Sequence, residues 1–414
     1  MLRIVNLDQA QSFITRKAVR LAEAEQSVAP ILDAVRTRGD EALLEYARKF
    51  DAFEGASFAV PKSEWHAAAE QVTDDFRAAL ETASANIRQY AEFQLPRERW
   101  ESFPGGRRLG HIVRPLESMG AYIPAGRYPL PSTLLMTALP AQVAGVKTIC
   151  VTSPHPSIEI LAAAHLLKVS HVFRLGGAQA IAAMAFGTET IPRVDRIVGP
   201  GNIYVAAAKK LLAGEVGIDF VAGPTEIVII AEDACPRHIA ADMLAQAEHD
   251  VEASSILLTT SRKLAEAVAQ EVSCQLETLV TAPVACEAIR NNCAVILCPS
   301  IDDAVEASNR LAPEHLAIYD ESLLPKIQHA GSVFLGPTSP EAAGDYASGP
   351  NHVLPTSGAA RIRGGLSAAD FVKVISVQEL SADGLSRLAP AITTLARAEG
   401  LEAHARSVEV RLAR

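Results

Sequence analysis

A glutamate directly followed by a histidine, Glu314-His315, stands after Pro313 where the apolar run LAPEHLAIYD begins. Histidine titrates near neutral pH and a carboxylate can activate water, so the two residue types suit acid–base catalysis. Ligand sites of open parallel sheets lie at the carboxyl ends of strands, whereas this pair precedes a predicted strand. We therefore expect a loop to carry the pair to a site. The alternative is a capped strand entrance with two exposed polar residues.

A second candidate lies in ADMLAQAEHD, where the apolar spacing predicts a helix that ends near His249. Gln246 and His249 are three residues apart and share one helix face, from which both could reach one metal ion. Glutamine is an uncommon zinc ligand. On the spacing alone, a solvated helix end is the better interpretation.

Two polar segments near the end of the chain also carry acids and histidines. PEAAGDYASGPNHVLPTSGAAR holds Glu341, Asp345 and His352 among glycines, prolines and serines. A long polar loop is usually functional or disordered, and its position between the strand-like SVFLG and an ordered-looking segment favours function. The other segment, EGLEAHAR, contains Glu399 and His404 and by itself predicts only a solvated helix.

Two glycine turns are candidates for nucleotide binding. LGGAQAIAA is a strand-to-helix turn whose backbone N–H groups could face an anion, although a tight βα turn explains it equally simply. Gly199-Pro200-Gly201-Asn202 begins like a dinucleotide fingerprint, but Tyr204 stands where the third glycine belongs. The sequence contains no G-x-x-x-x-G-K-[ST], which argues against P-loop phosphoryl transfer.

The elements that must position these residues follow from hydrophobic periodicity. Roughly the first 90 residues have helical spacing, and 91–110 is a polar connector. From about residue 112, apolar strand-like runs alternate with helical segments, which predicts parallel sheet covered on both faces, in two Rossmann-like halves. A final part, 366–414, returns to helix. The predicted strands are KTICVTS, HVFRLGG, DRIVGPG, TEIVIIA, SSILLTT, CAVILCP, EHLAIYD and SVFLG.

Composition limits the class of protein. The 414 residues are 49% hydrophobic and 21% charged, which fits a folded chain of two or three domains and excludes a disordered or fibrous one. A net charge of −10 makes nucleic acid and anionic membranes poor partners. Neither a spanning segment nor a signal peptide is predicted. The six cysteines never form C-x-x-C, so we expect reduced, mostly buried thiols in a cytoplasmic protein.

Taken together, these segments resemble the histidinol dehydrogenase family. The resemblance runs in order over nearly the whole chain. It implies an α/β fold in four parts: a helical N-terminal segment with its connector (1–110), an NAD-side Rossmann-like domain (111–240), a second Rossmann-like domain with zinc and catalytic loops (241–365), and a helical C-terminal segment (366–414). The matching stretches are GDEALLEYARKFD, GAYIPAGRYPLPSTLLMTALPAQVAGV, LGGAQAIAAMAFGT, VDRIVGPGNIYVA, GEVGIDFVAGPTEIVIIA, LAQAEHD, LAPEHLA, GDYASGPNHVLPTSGAAR and EGLEAHA.

The resemblance also implies the residues of the site. The family's catalytic glutamate and histidine fall at Glu314 and His315. Its zinc ligands fall at Gln246, His249, Asp345 and His404, and its NAD contacts at Tyr122, Gln179 and Asn202. The family's substrate contacts include the four zinc ligands and the catalytic histidine. They fall at Thr225, Gln246, His249, His315, Glu341, Asp345, His352, Glu399 and His404.

The implied reaction is the oxidation of L-histidinol through bound histidinal to L-histidine, with NAD and one zinc ion per site. The implied assembly is an intertwined homodimer in which Glu399 and His404 complete the partner's site. Thr225 and Pro350 differ from the usual serine and threonine, and Ala125 from a usual glycine, but none of them is a metal ligand or part of the Glu-His pair.

Two other functions remain as alternatives. A relative that oxidises another small alcohol, such as a dihydroxypropane sulfonate, would need Arg or Lys to meet an anionic substrate, whereas Glu341 and Glu399 suit a cationic one. A non-catalytic metal- or nucleotide-binding module would need no acid–base pair.

Overall fold

The structure is a computed structural model that describes residues 2–14, 21–125, 128–221 and 223–413, so two residues of one matching stretch, 126 and 127, lie outside it. Within these ranges the strands are β1 (Arg3–Asn6), β2 (Arg99–Phe103), β3 (Arg107–Pro115), β4 (Ser118–Tyr122), β5 (Thr148–Ser153), β6 (His171–Arg174), β7 (Arg196–Val198), β8 (Gly217–Ile218), β9 (Glu226–Ile230), β10 (Ser254–Thr259), β11 (Ala294–Leu297), β12 (His315–Ile318), β13 (Ser332–Leu335) and β14 (Val372–Leu380).

Helices connect and cover these strands. In chain order they are α1 (Gln11–Ile14), α2 (Leu21–Arg38), α3 (Asp40–Phe50), α4 (Lys62–Gln71), α5 (Asp74–Gln94), α6 (Pro131–Ala144), α7 (Ile158–Leu167), α8 (Gly177–Phe186), α9 (Ile203–Leu212), α10 (Pro236–Ala247), α11 (Arg262–Leu276), α12 (Ala282–Asn292), α13 (Ile301–Leu311), α14 (Glu341–Tyr346), α15 (Ala382–Ala398) and α16 (Glu402–Leu412).

The first parallel sheet has the strand order β6-β5-β4-β7-β8. Side chains of β4 alternate between two buried layers: Met119 and Ala121 pack towards α6, and Tyr122 packs towards α8 and α9. Such burial on both faces is what continuous apolar strands need, because neither face then meets water. The N-terminal helices α2 and α3 complete the second layer by packing against α8.

The second parallel sheet has the order β1-β11-β10-β9-β12-β13. All five side chains of β9, EIVII, are buried, and helices α10 to α13 cover the two faces. The outer strand β1 pairs with β11, with Arg3 opposite Ala294. The prediction of an all-helical N-terminal part was therefore wrong for these first residues. This strand is stabilised by pairing with β11, about 290 positions later in the chain, and local periodicity cannot reveal such a partner.

A third, antiparallel sheet, β14-β3-β2, corrects two other predictions. The stretch 91–110, predicted as a connector, contains β2 and the start of β3, and the predicted helical part 366–414 contains β14. Strands β3 and β14 pair along their full length, from Val372–Pro115 to Leu380–Arg107. Every residue of β2 and seven of the nine residues of β14 are exposed, so neither strand shows the alternation of buried and exposed side chains that marks a half-buried strand.

The C-terminal helices extend from this small sheet. The Ser381 N–H donates to Gly106 O at 2.9 Å, which fixes the start of α15 to the β2–β3 turn, and α15 packs against α16. Large apolar side chains on this sheet and these helices remain exposed in the single chain. They are Trp100, Phe103, Val374, Ile375, Leu380, Leu395, Leu401 and Val410.

All eight strands predicted from the sequence are present, as β5 to β7 and β9 to β13. Their loops place a site between the two parallel sheets. The carboxyl ends of β4 and β7 face the amino ends of β9 and β12 across a common cavity, lined among others by Pro200, Thr225 and Glu314. Across the described ranges, every helix is too short or too polar to cross a lipid bilayer.

Candidate active site

Glu314 and His315 lie at the amino edge of the second sheet, where His315 is the first residue of β12. Both are buried, with 6% and 3% of their surface exposed, so the alternative of an exposed strand entrance is wrong. Thr225 Oγ1 and the Glu226 N–H donate to Glu314 Oε2 at 2.6 and 2.9 Å. The residues that begin β9 thereby hold the glutamate, and both members of the pair line the cavity.

The two ring nitrogens of His315 have different surroundings. Nδ1 lies 3.2 Å from the Glu226 carbonyl oxygen and 3.1 Å from Glu341 Oε1. Nε2 is buried and has no hydrogen-bond partner among the described residues; its nearest charged neighbour is Asp345 Oδ1 at 3.7 Å. A neutral ring therefore carries its proton on Nδ1, where two acceptors wait, and leaves the Nε2 lone pair free to take a proton from a ligand.

Burial and charge shift the acid–base properties of this group. Burial raises the pKa of Glu314 and raises that of Glu341 well above its usual value. Burial alone would lower the pKa of His315, but the carboxylates of Glu341, Glu314 and Asp345 outweigh it and raise that pKa to about 10. Three carboxylates around one imidazole leave an excess of negative charge in a buried place, which bound cations would neutralise.

Two of the four predicted metal ligands, His249 and Asp345, line the same cavity, and a third, Gln246, is buried behind Thr225, which also lines it. His249 follows the end of α10, and its Nε2 is 3.9 Å from Asp345 Oδ2. The buried Gln246 amide contacts Thr225 Oγ1 at 2.8 Å and, with its oxygen and nitrogen exchanged, donates to Glu341. Asp345 keeps a lowered pKa: burial would raise it, but His315, His352 and His249 overcome that effect.

The donor set fits a divalent metal ion, zinc included. An amide oxygen, an imidazole nitrogen and a carboxylate oxygen are all known zinc ligands, and the excess negative charge favours a dication. In the part of the chain that the structure describes, however, no three His, Cys, Asp or Glu side chains are arranged as a complete metal site. Gln246, His249 and Asp345 supply three donors, and zinc usually takes four ligands, so one position is left for a further ligand.

The predicted substrate contacts divide into two groups. Thr225, Glu341 and His352 lie around the Glu314–His315 pair. The half-buried His352 places Nδ1 2.7 Å from the Asp345 carbonyl oxygen and Nε2 3.4 Å from Thr133 Oγ1. Burial lowers the pKa of His352. Glu399 and His404 are exposed, at the end of α15 and on α16, and the single chain does not bring them to the cavity. Their expected place in a partner's site remains a prediction.

A second cavity, of about 580 Å³, lies at the carboxyl edge of the first sheet. All three residues predicted to contact NAD line it. The Tyr122 hydroxyl accepts from the Gly177 N–H at 3.1 Å, and Asn202 Oδ1 caps α9 by accepting from Tyr204 N and Val205 N. Gln179 Nε2 donates to Asp51 Oδ2 at 3.1 Å.

The turn at 199–202 lies between the two cavities and contributes a residue to each. Pro200 lines the catalytic cavity, which has a volume of about 190 Å³, and Asn202 lines the larger one. The sequence alone assigns no role to Asp51 or to the Lys209–Asp219 ion pair that holds this turn. Asp51 and Asp219 lie in stretches that match the family, but their spacing does not mark them as part of a site. The Gly-Pro-Gly motif is the local signal for the turn itself.

A cavity of about 580 Å³ at the carboxyl edge of a parallel sheet is one turn away from a cavity that contains a buried acid–base pair, and this arrangement is typical of an oxidoreductase of the dehydrogenase class. The family model for histidinol dehydrogenase matches residues 14–412. The chain belongs to the histidinol dehydrogenase family.

Individual relatives agree. The chain is 50% identical over 401 residues to the histidinol dehydrogenase of Geobacter sulfurreducens, with 94% of each covered. It is 45% identical over 403 residues to that of Oceanobacillus iheyensis, covering 95% of this chain and 94% of the relative. A crystal structure of the enzyme from Elizabethkingia anophelis superposes with a TM-score of 0.94 at 38% identity, covering 99% and 98% of the two chains.

A more distant solved structure shares the fold alone. An acetylating aldehyde dehydrogenase from Geobacillus thermoglucosidasius matches with a TM-score of 0.50 at 13% identity, covering 87% of this chain and 98% of that one. The family resemblance predicted from the sequence is confirmed, as is an α/β fold with parallel sheets. The two alternative functions are not favoured by these comparisons.

Proposed function

We propose that this chain oxidises L-histidinol through enclosed histidinal to L-histidine, the last step of histidine biosynthesis, with NAD and zinc. One observation carries the proposal. His315 lines the cavity, and its Nε2 is buried and lacks a partner among the described residues, while Nδ1 is held by the Glu226 carbonyl oxygen and Glu341. Because Nδ1 is already hydrogen-bonded and Nε2 is not, His315 is suited to take the proton of a substrate alcohol while hydride leaves the carbinol carbon.

The charge of the cavity supports an amino alcohol as the substrate. Histidinol carries an ammonium group and an imidazole, and Glu341 and Asp345 supply carboxylates within 4 Å of the His315 ring. Binding of a cation against these carboxylates lowers the pKa of His315 from about 10 towards neutrality, so the substrate itself helps to free the base. An anionic sulfonate diol would meet the same carboxylates as like charges.

The reaction requires two oxidations. In the first, His315 Nε2 takes the hydroxyl proton while the carbinol carbon transfers hydride to NAD, giving the aldehyde. In the second, Glu314 activates a water molecule that adds to the aldehyde and His315 again takes a proton, while the hydride of the hydrated aldehyde would pass to a second NAD. One histidinol, one water and two NAD thus yield histidine, two NADH and three protons. Enclosure of the aldehyde prevents side reactions between the steps.

The metal ion would be held by Gln246, His249 and Asp345, with His404 as the fourth ligand. When bound there, a zinc ion supplies a fixed positive centre that orients the nitrogen atoms of the substrate. The chain's own part is to hold these ligands: His249 Nε2 already lies 3.9 Å from Asp345 Oδ2, and Gln246 is fixed by Thr225.

We propose in addition that two Rossmann-like domains, predicted from the sequence as 111–240 and 241–365, pair with a second copy of the chain. The boundary between them moves to a point before β9, because Glu226–Ile230 lies in the second sheet. Support for the domains comes from the strand order: β6-β5-β4-β7-β8 and β11-β10-β9-β12-β13 both follow the doubly wound order 3-2-1-4-5. The N-terminal part, 1–110, and the C-terminal part, 366–414, extend from them. Exposed apolar side chains on the third sheet and on α15 and α16 would be covered in an intertwined homodimer, where Glu399 and His404 enter the partner's site.

The proposed function is tested by following NADH formation with L-histidinol and, in parallel, with a dihydroxypropane sulfonate. Two NADH per histidinol are expected, with negligible turnover of the sulfonate. A chelator should abolish turnover and added zinc should restore it. Oxidation of the sulfonate alone would reject the proposed substrate, and full activity after verified removal of the metal would reject the role of zinc.

A further inference from the structure

Asp51 projects into the larger cavity from outside the sheet that forms it. It caps the C-terminus of α3, and its own N–H donates to Ala47 O. Its Oδ2 accepts from the Gly176 N–H at 3.0 Å and from Gln179 Nε2 at 3.1 Å. Oδ1 accepts no hydrogen bond from the described residues, so one carboxylate oxygen remains available to a ligand in the cavity.

The position of Asp51 identifies the end of the dinucleotide that it would meet. The nicotinamide must approach His315, and the catalytic cavity reaches the first sheet at Pro200, directly after β7. Asp51 instead contacts the loop after β6. In the order β6-β5-β4-β7, these strands are three spacings apart, about 14 Å. Asp51 therefore lies at the adenosine end of a dinucleotide whose nicotinamide faces the base.

A carboxylate at that end has a known physical effect. In doubly wound folds, an acidic residue that accepts hydrogen bonds from the adenosine ribose favours NAD, whereas NADP carries a phosphate on the 2′ oxygen. The usual position for this acid is the end of the second strand of the sheet, which here is β5 followed by Pro154 and His155, neither of them acidic. The described residues that line this cavity also include no Lys or Arg to bind a phosphate.

We propose that Asp51 is the residue that selects NAD over NADP, by accepting a hydrogen bond from the adenosine ribose and repelling a 2′-phosphate. The inference rests on the proposed use of NAD and adds the residue that decides between the two nucleotides. A carboxylate supplied by an N-terminal helix replaces the one that the sheet itself lacks. Gly176 leaves room for this approach, because a Cβ there would stand 2.8 Å from the Pro154 ring and 3.0 Å from Asp51 Oδ1.

The experiment measures dissociation constants of NADH and NADPH by titrating the nucleotide's fluorescence with the intact protein, without substrate. Asp51→Asn removes the charge and keeps one acceptor oxygen for the Gly176 N–H. The wild type should bind NADH at least about ten-fold more tightly than NADPH, and Asp51→Asn should reduce this ratio about ten-fold. Glu54→Gln is the matched control, because it makes the same charge change at an exposed position three residues away, outside the cavity lining.

A second variant guards against a merely structural effect of Asp51. The exposed His155 also lines the cavity and interacts electrostatically with the Asp51 carboxylate, so His155→Arg adds a cation there while the contacts of Asp51 to α8 remain. It should tighten NADPH binding relative to NADH. An unchanged ratio in folded Asp51→Asn, or in His155→Arg if Asp51→Asn does not fold, overturns the inference. Failure of the wild type to bind either nucleotide would instead contradict the proposed function.

Discussion

The ring of His315 is fixed on one side and free on the other, which separates its structural contacts from its chemistry. Asn at position 315 can still donate to the Glu226 carbonyl oxygen but offers no basic nitrogen in place of Nε2. We expect His315→Asn to lower NADH formation by about 10² or more while NADH binding stays unchanged. Initial rates and fluorescence titration measure the two effects. His165→Asn, at an exposed position on α7, is the control; near-normal turnover in His315→Asn would show that another group is the base.

Glu314 has a separate role that the stoichiometry can detect. Thr225 and the Glu226 N–H occupy its Oε2, which leaves Oε1 to contact water in the cavity. Glu314→Gln keeps these two hydrogen bonds possible but removes the carboxylate that activates water. NADH formed per histidinol should fall from two towards one, with aldehyde captured by an added hydrazine. A slow reaction that still gives two NADH per substrate would assign water activation elsewhere.

The sequence could predict the centre of the site but not its support. Glu314 and His315 are neighbours in the chain, and Gln246 and His249 share one helix end, so their types and spacing are visible locally. The residues that hold Glu314 come from far away in the chain: Thr225 and Glu226 are 89 and 88 positions from it. These contacts arise because β9 and β12 become neighbours in one sheet, and local spacing carries no sign of that pairing.

At the scale of elements, a buried ion pair between Lys209 of α9 and Asp219 after β8 fixes the turn between the two cavities. Lys209 Nζ donates to Gly199 O at 3.0 Å, and Asp219 Oδ2 accepts from the Gly199 N–H at 2.8 Å. Gly199 has a φ of +113°, and a Cβ there would collide with the Tyr122 carbonyl oxygen, so the turn requires glycine at this position. The hydrogen bonds from Lys209 and to Asp219 hold the glycine backbone in this conformation. The pair thereby holds both the Pro200 ring and the start of α9 in place.

Removing one partner of this pair should be costly, because it leaves a buried charge without its counterion. We expect Lys209→Met to lower the free energy of unfolding by about 3–5 kcal/mol and to raise the KM for NAD. Lys210→Met removes the neighbouring lysine, whose partner Glu25 is on the surface, and should change stability by less than about 1 kcal/mol. Urea unfolding of both variants measures the difference. Equal decreases in the free energy of unfolding of the two variants would show that the buried Lys209–Asp219 pair stabilises the fold no more than the exposed Lys210–Glu25 pair.

Elements with a buried apolar run were predictable, and elements stabilised by pairing alone were not. EIVII of β9 is buried throughout, so its sequence contains the reason for the strand. Strand β14 has mostly exposed side chains and exists because all nine of its residues pair with β3. The same holds for β1, which is a strand because it pairs with β11, far away in the sequence. Register with a remote strand is a property of the folded chain, which sequence periodicity does not encode.

At the scale of the whole molecule, exposure of His404 on α16 makes the sharing of sites between two chains testable. A His404→Ala chain and a Gln246→Ala chain should each be inactive alone. If His404 acts in the partner's site, a hybrid dimer has one site with both defects and one intact site. Random mixing should then recover about a quarter of the wild-type activity. Separating the hybrid by two different affinity tags checks its formation, and verified hybrids without activity would contradict sharing.

The pairing of β1 with β11 affects how the chain folds during its synthesis. Arg3 donates from its guanidinium to the carbonyl oxygens of Arg290 and Asn291, 287 and 288 positions later. On the ribosome β1 therefore emerges long before β11, and the two strands can pair only after β11 has been made. In a chain without β1, the outer backbone groups of β11 would have no partner. An uncovered edge strand can pair with other nascent chains. Loss of only the first six residues should therefore appear as aggregation during expression, although residues 2–6, the described part of this segment, do not line the catalytic cavity.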